Sequence, residues 1–355
     1  MERPISKILI RSTNWIGDSI ITIPALREIR RMFPEAHLAL LAKPWVADLF
    51  TSADFLDEII RYNRDAGPIG FLKFARHLRT MHFDAAILLQ NAFEAAALAL
   101  AAGIPIRIGF PTDGRRFLLT HPLKTAFPVP HEHQIYEYLN IAAQTEALFA
   151  GECRVNFLRP QYRLPVSEQI KERMHRLLLD SGWQKKGTLV AINPGATNNP
   201  LKRWYPERFA LLAEKLLGRE NCTVVFIGGP SEESITDEIL SRIKRKAIKL
   251  TGRTSLQESI AVLSLCDLII SNDTGPAYMA AALCRPTLTI FGPTNYWSIS
   301  PTSPTARILN HPVSCAPCRL KQCPTNHECM DLISVDQVYS AALKLLRENQ
   351  DVDDV

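Results

Sequence analysis

Two patterns of apolar positions alternate along the first half of the chain: short continuous runs, and longer stretches with an apolar residue every three or four positions. The run Lys7–Arg11 predicts a buried strand, and the spacing over Ser19–Met32 predicts a helix after it. Further predicted strands are His37–Ala42, Asp84–Leu89 and Arg107–Phe110, with a helix at Phe93–Ala102. Strand and helix in this repeated order favour a mostly parallel sheet with helices on its faces.

The same alternation returns in the second half, after a region at 151–187 that we predict to be a linker with one helix. The predicted strands there are Thr188–Asn193, Cys222–Ile227, Asp267–Ser271 and Pro286–Phe291. The predicted helices are Ser167–Ser181, Pro206–Leu217, Ser231–Lys244, Ser255–Leu265, Pro276–Cys284 and Val335–Glu348. We therefore predict an acceptor-side domain at 1–165, a linker at 166–187, a second domain at 188–349 and an acidic tail at 350–355. The last helix is free to pack back on the first domain.

Composition places the chain among globular proteins and excludes several classes of function. Of its 355 residues, 46% are hydrophobic and 22% are charged, which excludes disorder of the whole chain. The 41 basic and 36 acidic residues leave a net charge of +5, without the block of like charges that is typical of a nucleic-acid-binding arm. The sequence shows neither a secretion signal nor an apolar stretch suited to span a membrane, so we expect a cytoplasmic protein.

A glycine and an aspartate follow the first predicted strand. Gly17 permits a tight turn, and Asp18 lies where the next helix begins. A carboxylate there either caps the helix or removes a proton from a sugar hydroxyl. The residues alone favour the cap. Neither the glycine fingerprint of dinucleotide-binding folds nor a P-loop occurs in the chain.

The loop after the first strand of the second domain combines small residues with positive charge. Gly195 and Ala196 allow backbone N–H groups to approach an anion, and Thr197 adds a hydroxyl. Lys202 and Arg203 add charge within the same ten residues. This combination favours a diphosphate site over a solvated basic loop.

Two further loops follow predicted strands of the second domain. Gly228–Gly229 precede the adjacent acids Glu232 and Glu233, which either complement the dipole of a helix or hold ribose hydroxyls. Asp273–Gly275 open a helix, whose N-terminal N–H groups suit an anion. A single Asp-Thr-Gly triplet in an α/β setting excludes an aspartic protease.

Four cysteines lie close together near the C-terminus: Cys315, Cys318, Cys323 and Cys329. Such a group either binds zinc or packs a loop as reduced thiols. Only the first pair has the spacing of a zinc knuckle, and we favour reduced thiols without metal. The absence of a secretion signal disfavours a disulfide framework.

Five segments together resemble glycosyltransferase family 9, the lipopolysaccharide heptosyltransferases, and its heptosyltransferase II branch in particular. They are RSTNWIGDSIITIPALREIRRMFP, NPGATNNPLKRWYPERF, FIGGPSEE, LIISNDTGPAYMAAAL and TIFGPTN, in the family's order and over nearly the whole chain. The stretch CAPCRLKQCPTNHECM is also similar to that branch. The resemblance implies an α/β GT-B fold, with two Rossmann-like domains whose parallel sheets face a central cleft.

The resemblance also implies an activity: inverting transfer of L-glycero-D-manno-heptose from ADP-heptose, without metal or cofactor, to the first heptose of the lipopolysaccharide inner core. The acceptor would be lipid A–Kdo–heptose, which implies an enzyme peripheral to the inner face of the inner membrane. The alternatives are heptosyltransferase I, another GT-B transferase, a nucleotide-sugar epimerase, and a nucleotide-sugar-binding module without activity.

Residue by residue, the resemblance turns Asp18 from a cap into the general base. It gives the donor-binding residues as Thr197, Lys202, Glu232 (with Glu233 as the alternative), Asp273, Thr274 and Gly275. Lys202, Thr197 and the N–H groups of Thr274 and Gly275 would stabilise the leaving ADP. Tyr278 departs from the family, which often has histidine there; a tyrosine is not cationic near neutral pH.

Basic residues of the first domain suit an acidic acceptor. They are Arg61, Arg64, Arg107, Arg115, Arg116, Lys124, His131 and His133. The turn GFPTDGRRFLLTH is our candidate acceptor loop.

Overall fold

The computed structural model of the chain divides into two units, Met1–Tyr162 and Arg163–Val355. It describes residues 5–63, 67–125, 133–197, 199–318 and 320–353. Arg64, His131 and the last two residues of the predicted tail lie outside the described residues. Each unit is built on a parallel sheet of six strands.

In the first unit the strands follow the order β3-β2-β1-β4-β5-β6, which is the winding of a Rossmann fold. The strands are β1 (Lys7–Arg11), β2 (His37–Ala42), β3 (Glu58–Arg61), β4 (Ala85–Leu88), β5 (Ile106–Gly109) and β6 (His121–Pro122). The helices are α1 (Ile16–Ile21), α2 (Ile23–Met32), α3 (Pro44–Ala47), α4 (Gly67–Thr80), α5 (Phe93–Ala101) and α6 (Gln134–Ala150). Because all these strands are parallel, the loops that follow them lie at one edge of the sheet, the carboxyl edge.

The helix predicted over Ser19–Met32 is divided at Thr22 into α1 and α2. Pro24 has no N–H to donate, and in a continuous helix its ring would clash with the carbonyl of Ile20. The Thr22 hydroxyl donates instead to the carbonyl of Ser19 at 2.6 Å. The short α1 therefore stands alone beyond β1 and carries Gly17 and Asp18.

The second unit repeats this winding in the order β9-β8-β7-β10-β11-β12. Its strands are β7 (Thr188–Asn193), β8 (Cys222–Phe226), β9 (Ile248–Lys249), β10 (Leu268–Asn272), β11 (Thr287–Phe291) and β12 (Ala306–Asn310). Its helices are α7 (Glu168–Asp180), α8 (Pro206–Leu217), α9 (Glu233–Arg242), α10 (Leu256–Leu265), α11 (Gly275–Ala282), α12 (Tyr296–Ile299), α13 (Glu328–Asp331) and α14 (Val335–Asp353). The central strands β7 and β10 are buried along almost their whole length.

The region predicted to be a linker packs as part of the second unit. α7 lies against α10, and Arg173 of α7 forms an ion pair of 2.7 Å with Glu258. The N–H of Leu164 donates to the carbonyl of Ala282 at 2.9 Å. The apolar face of α7 buries Met174 and Leu178, so the helix needs a packing partner.

The last helix, α14, packs on α8 and against β10 and β11, within the second unit. Its inner face buries Val338, Ala342 and Leu345. It continues to Asp353, so four of the six residues of the predicted tail, 350–353, belong to the helix. Among the described residues, no helix has the length and apolar character needed to cross a membrane.

Candidate active site

The loops after β7, β8 and β10 meet at the carboxyl edge of the second sheet through the side chain of Asn193. Its Oδ1 accepts hydrogen bonds from the hydroxyls of Ser271 (3.3 Å) and Thr274 (3.0 Å). Its Nδ2 donates to the carbonyl of Ile227 at 3.1 Å. Asn193 is fully buried, so it fixes the three loops that carry the predicted donor-binding residues.

Glu232 lies at the centre of this edge and is 5% exposed. Its carboxylate accepts from the Thr197 hydroxyl at 3.3 Å and from the Gly229 N–H at 3.0 Å. The amide of Asn193 approaches it at 3.4 Å. Glu232 therefore joins the loop after β7 to the loop after β8.

Of the two adjacent acids, the structure brings Glu232 and not Glu233 to Thr197. The carboxylate of Glu233 lies against Gly252, where an added Cβ would come within 2.3 Å of its Oε1. It also approaches the Lys249 ammonium at 3.8 Å. Glu233 thus belongs to the outer surface of α9 rather than to the cluster around Thr197.

Two glycines beside Glu232 have a role that the sequence did not indicate. A Cβ on Gly195 would lie 2.0 Å from Cδ of Glu232, and one on Gly228 would lie 2.6 Å from its Oε2. Both glycines therefore make room for the protein's own carboxylate. The approach of backbone N–H groups to an anion, which we expected Gly195 to permit, stays a prediction.

Lys202 and Asp273 form an ion pair, with 2.7 Å between Nζ and Oδ2. The Asp273 side chain is 2% exposed and that of Lys202 is 21% exposed. Two hydroxyls also donate to the carboxylate, Tyr278 at 2.9 Å and Thr294 at 2.7 Å. A buried carboxylate needs such partners, and the arrangement holds the Lys202 ammonium at the carboxyl edge.

Tyr278, the departure from the family pattern, thus bonds to Asp273 of the predicted donor loop. A phenol donates one hydrogen bond without carrying charge near neutral pH. The positive charge of this cluster therefore comes from Lys202 and not from residue 278.

The Asp-Thr-Gly loop differs in one detail from the expectation. We predicted that the N–H groups of both Thr274 and Gly275 face a leaving group. The Thr274 N–H donates instead to the carbonyl of Asn272 at 2.8 Å, within the turn. Thr274 is the N-cap of α11 and Gly275 is its first residue, so the free end of the helix begins at Gly275.

Sequence reasoning missed three residues that organise this edge: Asn193, Asn272 and Thr294. The Asn272 amide donates to the carbonyls of Pro194 (2.9 Å) and Gly195 (3.1 Å), which fixes the course of that loop. Asn193 and Asn272 are the last residues of β7 and β10. A buried amide at the end of a parallel strand is the sequence signal that could have indicated them.

In the first unit, Asp18 lies in the first turn of α1 and is half-buried. The N-cap is Trp15, whose side chain makes no capping hydrogen bond, so Asp18 does not occupy the N-cap position. Burial raises the pKa of Tyr138 on α6, and the carboxylates of Asp18 and Glu137 raise it further. Asp18 thus faces a phenol that stays protonated.

The loop that carries Asp18 is held by a buried arginine. The Arg11 guanidinium donates to the carbonyl of Ser12 at 2.7 Å and to Oδ1 of Asn14 at 3.0 Å. Burial lowers the pKa of Arg11 to about 10, although the carboxylate of Glu94 opposes the shift. The indole N–H of Trp45 donates to the carbonyl of Asn14 at 2.8 Å. These contacts position α1 beyond β1.

Arg115 is not the surface cation that we expected to meet an acidic acceptor. It is fully buried and donates to the carbonyls of Phe110 (2.8 Å) and Ala92 (3.2 Å) and to the Asn91 amide oxygen (3.1 Å). Its guanidinium satisfies backbone carbonyls of the turns after β4 and β5. Of the other described basic residues, Arg61, Arg116 and Lys124 are exposed.

The four clustered cysteines carry free thiols. Burial raises the pKa of Cys329 to about 11, and the other three cysteines contribute to the shift in the same direction. The Cys329 thiol therefore stays protonated. Within the described ranges, no set of three or more His, Cys, Asp or Glu side chains is arranged to hold a metal ion.

Comparisons with known proteins agree with this fold. The chain is 28% identical to lipopolysaccharide heptosyltransferase 2 of Salmonella typhimurium, over 85% of this chain and 87% of that one. The structure of E. coli ADP-heptose LPS heptosyltransferase II superposes with a TM-score of 0.82 at 25% identity, over 97% of this chain and 99% of that one. The family 9 glycosyltransferase of Veillonella parvula shares the fold, with a TM-score of 0.86 at 24% identity, over 98% of this chain and 99% of that one.

The predicted α/β fold with two Rossmann-like parallel sheets is thereby confirmed. The sequence model of one family matches residues 71–328, which is well over half of the chain. The chain belongs to glycosyltransferase family 9 (heptosyltransferase).

Proposed function

We propose that the chain is an inverting, metal-independent heptosyltransferase that moves heptose from ADP-heptose to the first heptose of the lipopolysaccharide inner core. Membership of the family and the relatives named heptosyltransferase 2 support the reaction class. The observation that carries the proposal is the cluster at the carboxyl edge of the second sheet, where the Lys202–Asp273 pair stands with Glu232 and Thr197.

The donor half of the proposed reaction uses this cluster. The Lys202 ammonium, the Thr197 hydroxyl and the Gly275 N–H bind the diphosphate, while Glu232 accepts hydrogen bonds from ribose hydroxyls. As the glycosidic bond breaks, negative charge grows on the leaving ADP. Donors that are already fixed in place stabilise that charge without reorganisation, and Lys202 supplies the counter-charge that a metal ion would otherwise supply.

The acceptor half uses Asp18 of the first unit. Its carboxylate removes the proton of the acceptor hydroxyl while that oxygen attacks the anomeric carbon. Attack from the face opposite to ADP inverts the configuration of the sugar. The first unit also exposes positively charged residues, among them Arg61, Arg116 and Lys124. Their charge suits an acceptor that carries carboxylates and phosphates. A lipid-anchored acceptor makes the enzyme peripheral to the inner membrane.

A transfer assay tests the proposal directly. The protein is mixed with ADP-L-glycero-D-manno-heptose, a chelator and a deacylated core acceptor that carries either no heptose or one heptose, and the product mass is measured. We expect one heptose to be added to the one-heptose acceptor alone, at a rate that the chelator does not change.

Each other outcome contradicts a named part of the proposal. Addition to the heptose-free acceptor would indicate heptosyltransferase I. A rate that the chelator abolishes and a divalent cation restores would contradict metal independence. Conversion of the donor without an acceptor would indicate an epimerase, and donor binding without turnover would indicate a binding module.

The space around Glu232 gives a prediction for donor binding. The substitution Gly195→Ala would push the Glu232 carboxylate out of its place and break its bonds to Thr197 and Gly229. A displaced Glu232 would no longer accept the hydrogen bond proposed from a ribose hydroxyl. A hydrogen bond to a charged group contributes about 1.5–3 kcal/mol, so we expect ADP affinity to fall at least about tenfold, as measured by titration calorimetry.

The control is Gly229→Ala, because a Cβ on Gly229 would meet no atom within 4 Å. Its N–H can still donate to Glu232, so we expect ADP affinity close to that of the wild type. Equal losses in both variants would show that any side chain added at this edge disturbs binding, and that the position of the Glu232 carboxylate is not the cause.

A further inference from the structure

The outer face of α4 exposes large apolar side chains to solvent. Its inner face buries Ala75 and Leu78, while Ile69 and Leu72 on the outer face are 71% and 52% exposed. Removing such side chains from water lowers the free energy, so a group of them on the surface indicates a place where another molecule binds.

Two exposed phenylalanines lie on the neighbouring elements. Phe93 begins α5, and its ring lies 6.1 Å from the ring of Phe117 in the turn after β5. Phe117 is 75% exposed. α5 packs against α4 and against the turn that carries Phe117, so the four apolar side chains belong to adjoining elements.

Basic residues accompany these apolar side chains. Lys73 and Arg76 are exposed on the outer face of α4, whose sequence contains no acidic residue, and Arg116 is exposed next to Phe117. We call the whole set the docking face: the apolar Ile69, Leu72, Phe93 and Phe117, with the basic Lys73, Arg76 and Arg116.

The nearest acids of α5 and the following turn are bonded to partners within the unit. The carboxylate of Asp113 accepts from the N–H of Phe93 at 2.7 Å. That of Glu94 accepts from the hydroxyl of Tyr62 at 2.6 Å. The charges of these carboxylates are opposed by buried guanidinium groups, Arg115 near Asp113 and Arg11 near Glu94. The exposed cations therefore give the docking face a positive fringe beside its apolar side chains, which is complementary to an anionic bilayer surface and not to a basic partner.

The docking face adjoins the edge that carries Asp18. Ile69 and Phe93 lie in the first turns of α4 and α5, which follow β3 and β4. Asp18 lies in the first turn of α1, which follows β1. Helices that follow parallel strands all begin at the carboxyl edge, so these three residues rim the same edge of the first sheet.

We propose that the docking face binds the surface of a bilayer that contains anionic phospholipid. Ile69, Leu72, Phe93 and Phe117 insert among the headgroups, and Lys73, Arg76 and Arg116 contact lipid phosphates. This inference rests on the proposed function, whose acceptor sugars are attached to a lipid. Docking holds the carboxyl edge of the first unit, and with it Asp18, at the height of those sugars.

Sedimentation with vesicles tests the docking face. The full chain is mixed with vesicles of phosphatidylethanolamine and phosphatidylglycerol, or of phosphatidylcholine alone, and the bound fraction is measured. We expect binding to the anionic vesicles that weakens with salt. Both the double variant Ile69→Ser/Leu72→Ser and the double variant Lys73→Gln/Arg76→Gln should reduce the partition coefficient about tenfold or more.

The matched control is Leu158→Ser/Arg159→Gln, which removes an exposed leucine and an exposed arginine elsewhere in the first unit. We expect it to bind vesicles like the wild type. Thermal unfolding of every variant checks that it folds, and Phe93→Ser, at a phenylalanine that is 42% exposed, provides an independent test should either double variant fail to fold.

Turnover with two forms of the acceptor separates docking from chemistry. On lipid-anchored acceptor in vesicles we expect the docking variants to lose about tenfold in rate, whereas on the deacylated acceptor they should match the wild type. Vesicle binding by the wild type without transfer to either acceptor would contradict the proposed function and leave the docking face standing.

Three results would overturn the docking face. One is a wild type that does not sediment with anionic vesicles. Another is docking variants that bind as the wild type does. The third is a dimer in solution that the Ile69→Ser/Leu72→Ser variant dissociates, because the face would then bind a second copy of the chain.

Discussion

Replacing Asp18 by asparagine is expected to lower turnover by about 10²–10⁴-fold, which is the usual contribution of a positioned general base. The amide has nearly the shape of the carboxylate, but it does not accept a proton. Because the proposed donor-binding residues all lie in the second unit, the affinity for ADP should stay at the wild-type value. Single-turnover kinetics with the one-heptose acceptor, together with calorimetry for ADP, measure the two effects separately.

A matched variant distinguishes a base from a residue that only complements the helix dipole. Asp336 lies in the first turn of α14, as Asp18 does in α1, and it bonds the exposed Lys215 at 2.5 Å. Loss of a first-turn carboxylate costs about 0.3–1 kcal/mol of stability, and Asp336→Asn should cost that and leave turnover intact. If Asp18→Asn behaves in the same way, the role of Asp18 as the base is wrong.

The second large effect is expected at Lys202. Replacing it by methionine keeps most of the apolar stem but removes the charge that is proposed to stabilise the leaving ADP. Removal of one preorganised donor typically lowers turnover by about 10²–10³-fold. Asp273 would also lose its cationic partner while buried, so we expect the free energy of unfolding to fall by up to about 3 kcal/mol, with Tyr278 and Thr294 limiting the loss.

Two further variants separate catalysis from folding at this pair. Lys202→Met/Asp273→Asn removes both charges, so it should recover stability in denaturant unfolding without recovering turnover. Lys249→Met removes a lysine that is 16% exposed and bonded to Asp237 at 2.6 Å, in the same unit but away from the cluster. We expect it to keep wild-type turnover. Recovery of turnover in the double variant would show that Lys202 serves only to pair with Asp273.

Whether a strand was predicted from the sequence depends on its position in the sheet: interior strands were predicted and edge strands were missed. The eight interior strands, β1, β2, β4, β5, β7, β8, β10 and β11, were predicted. The strands β3, β6, β9 and β12 were not, and all four are sheet edges with half-exposed residues. Interior parallel strands are covered on both faces and need continuous apolar runs, whereas edge strands do not.

The sequence by itself also determined where the chemistry-bearing loops lie. The motifs of Asp18, Thr197 and Asp273 each follow a strand that local periodicity reveals, and parallel strands bring such loops to one edge. The break before Pro24 could be predicted locally as well, since it depends on the missing N–H of one residue. Local patterns suffice for features that depend on neighbours along the chain.

Only the tertiary structure decided features that depend on distant partners. It brought Glu232 rather than Glu233 to Thr197, because the directions of two adjacent side chains at the start of a helix depend on what packs around them. In the folded protein, Gly195 leaves the space that this carboxylate occupies, and Arg115 is buried among backbone carbonyls. The tertiary structure also placed α7 on α10. Hydrophobic periodicity reports that a face is buried, but the partner of that face lies far away in sequence, so the pattern does not name it.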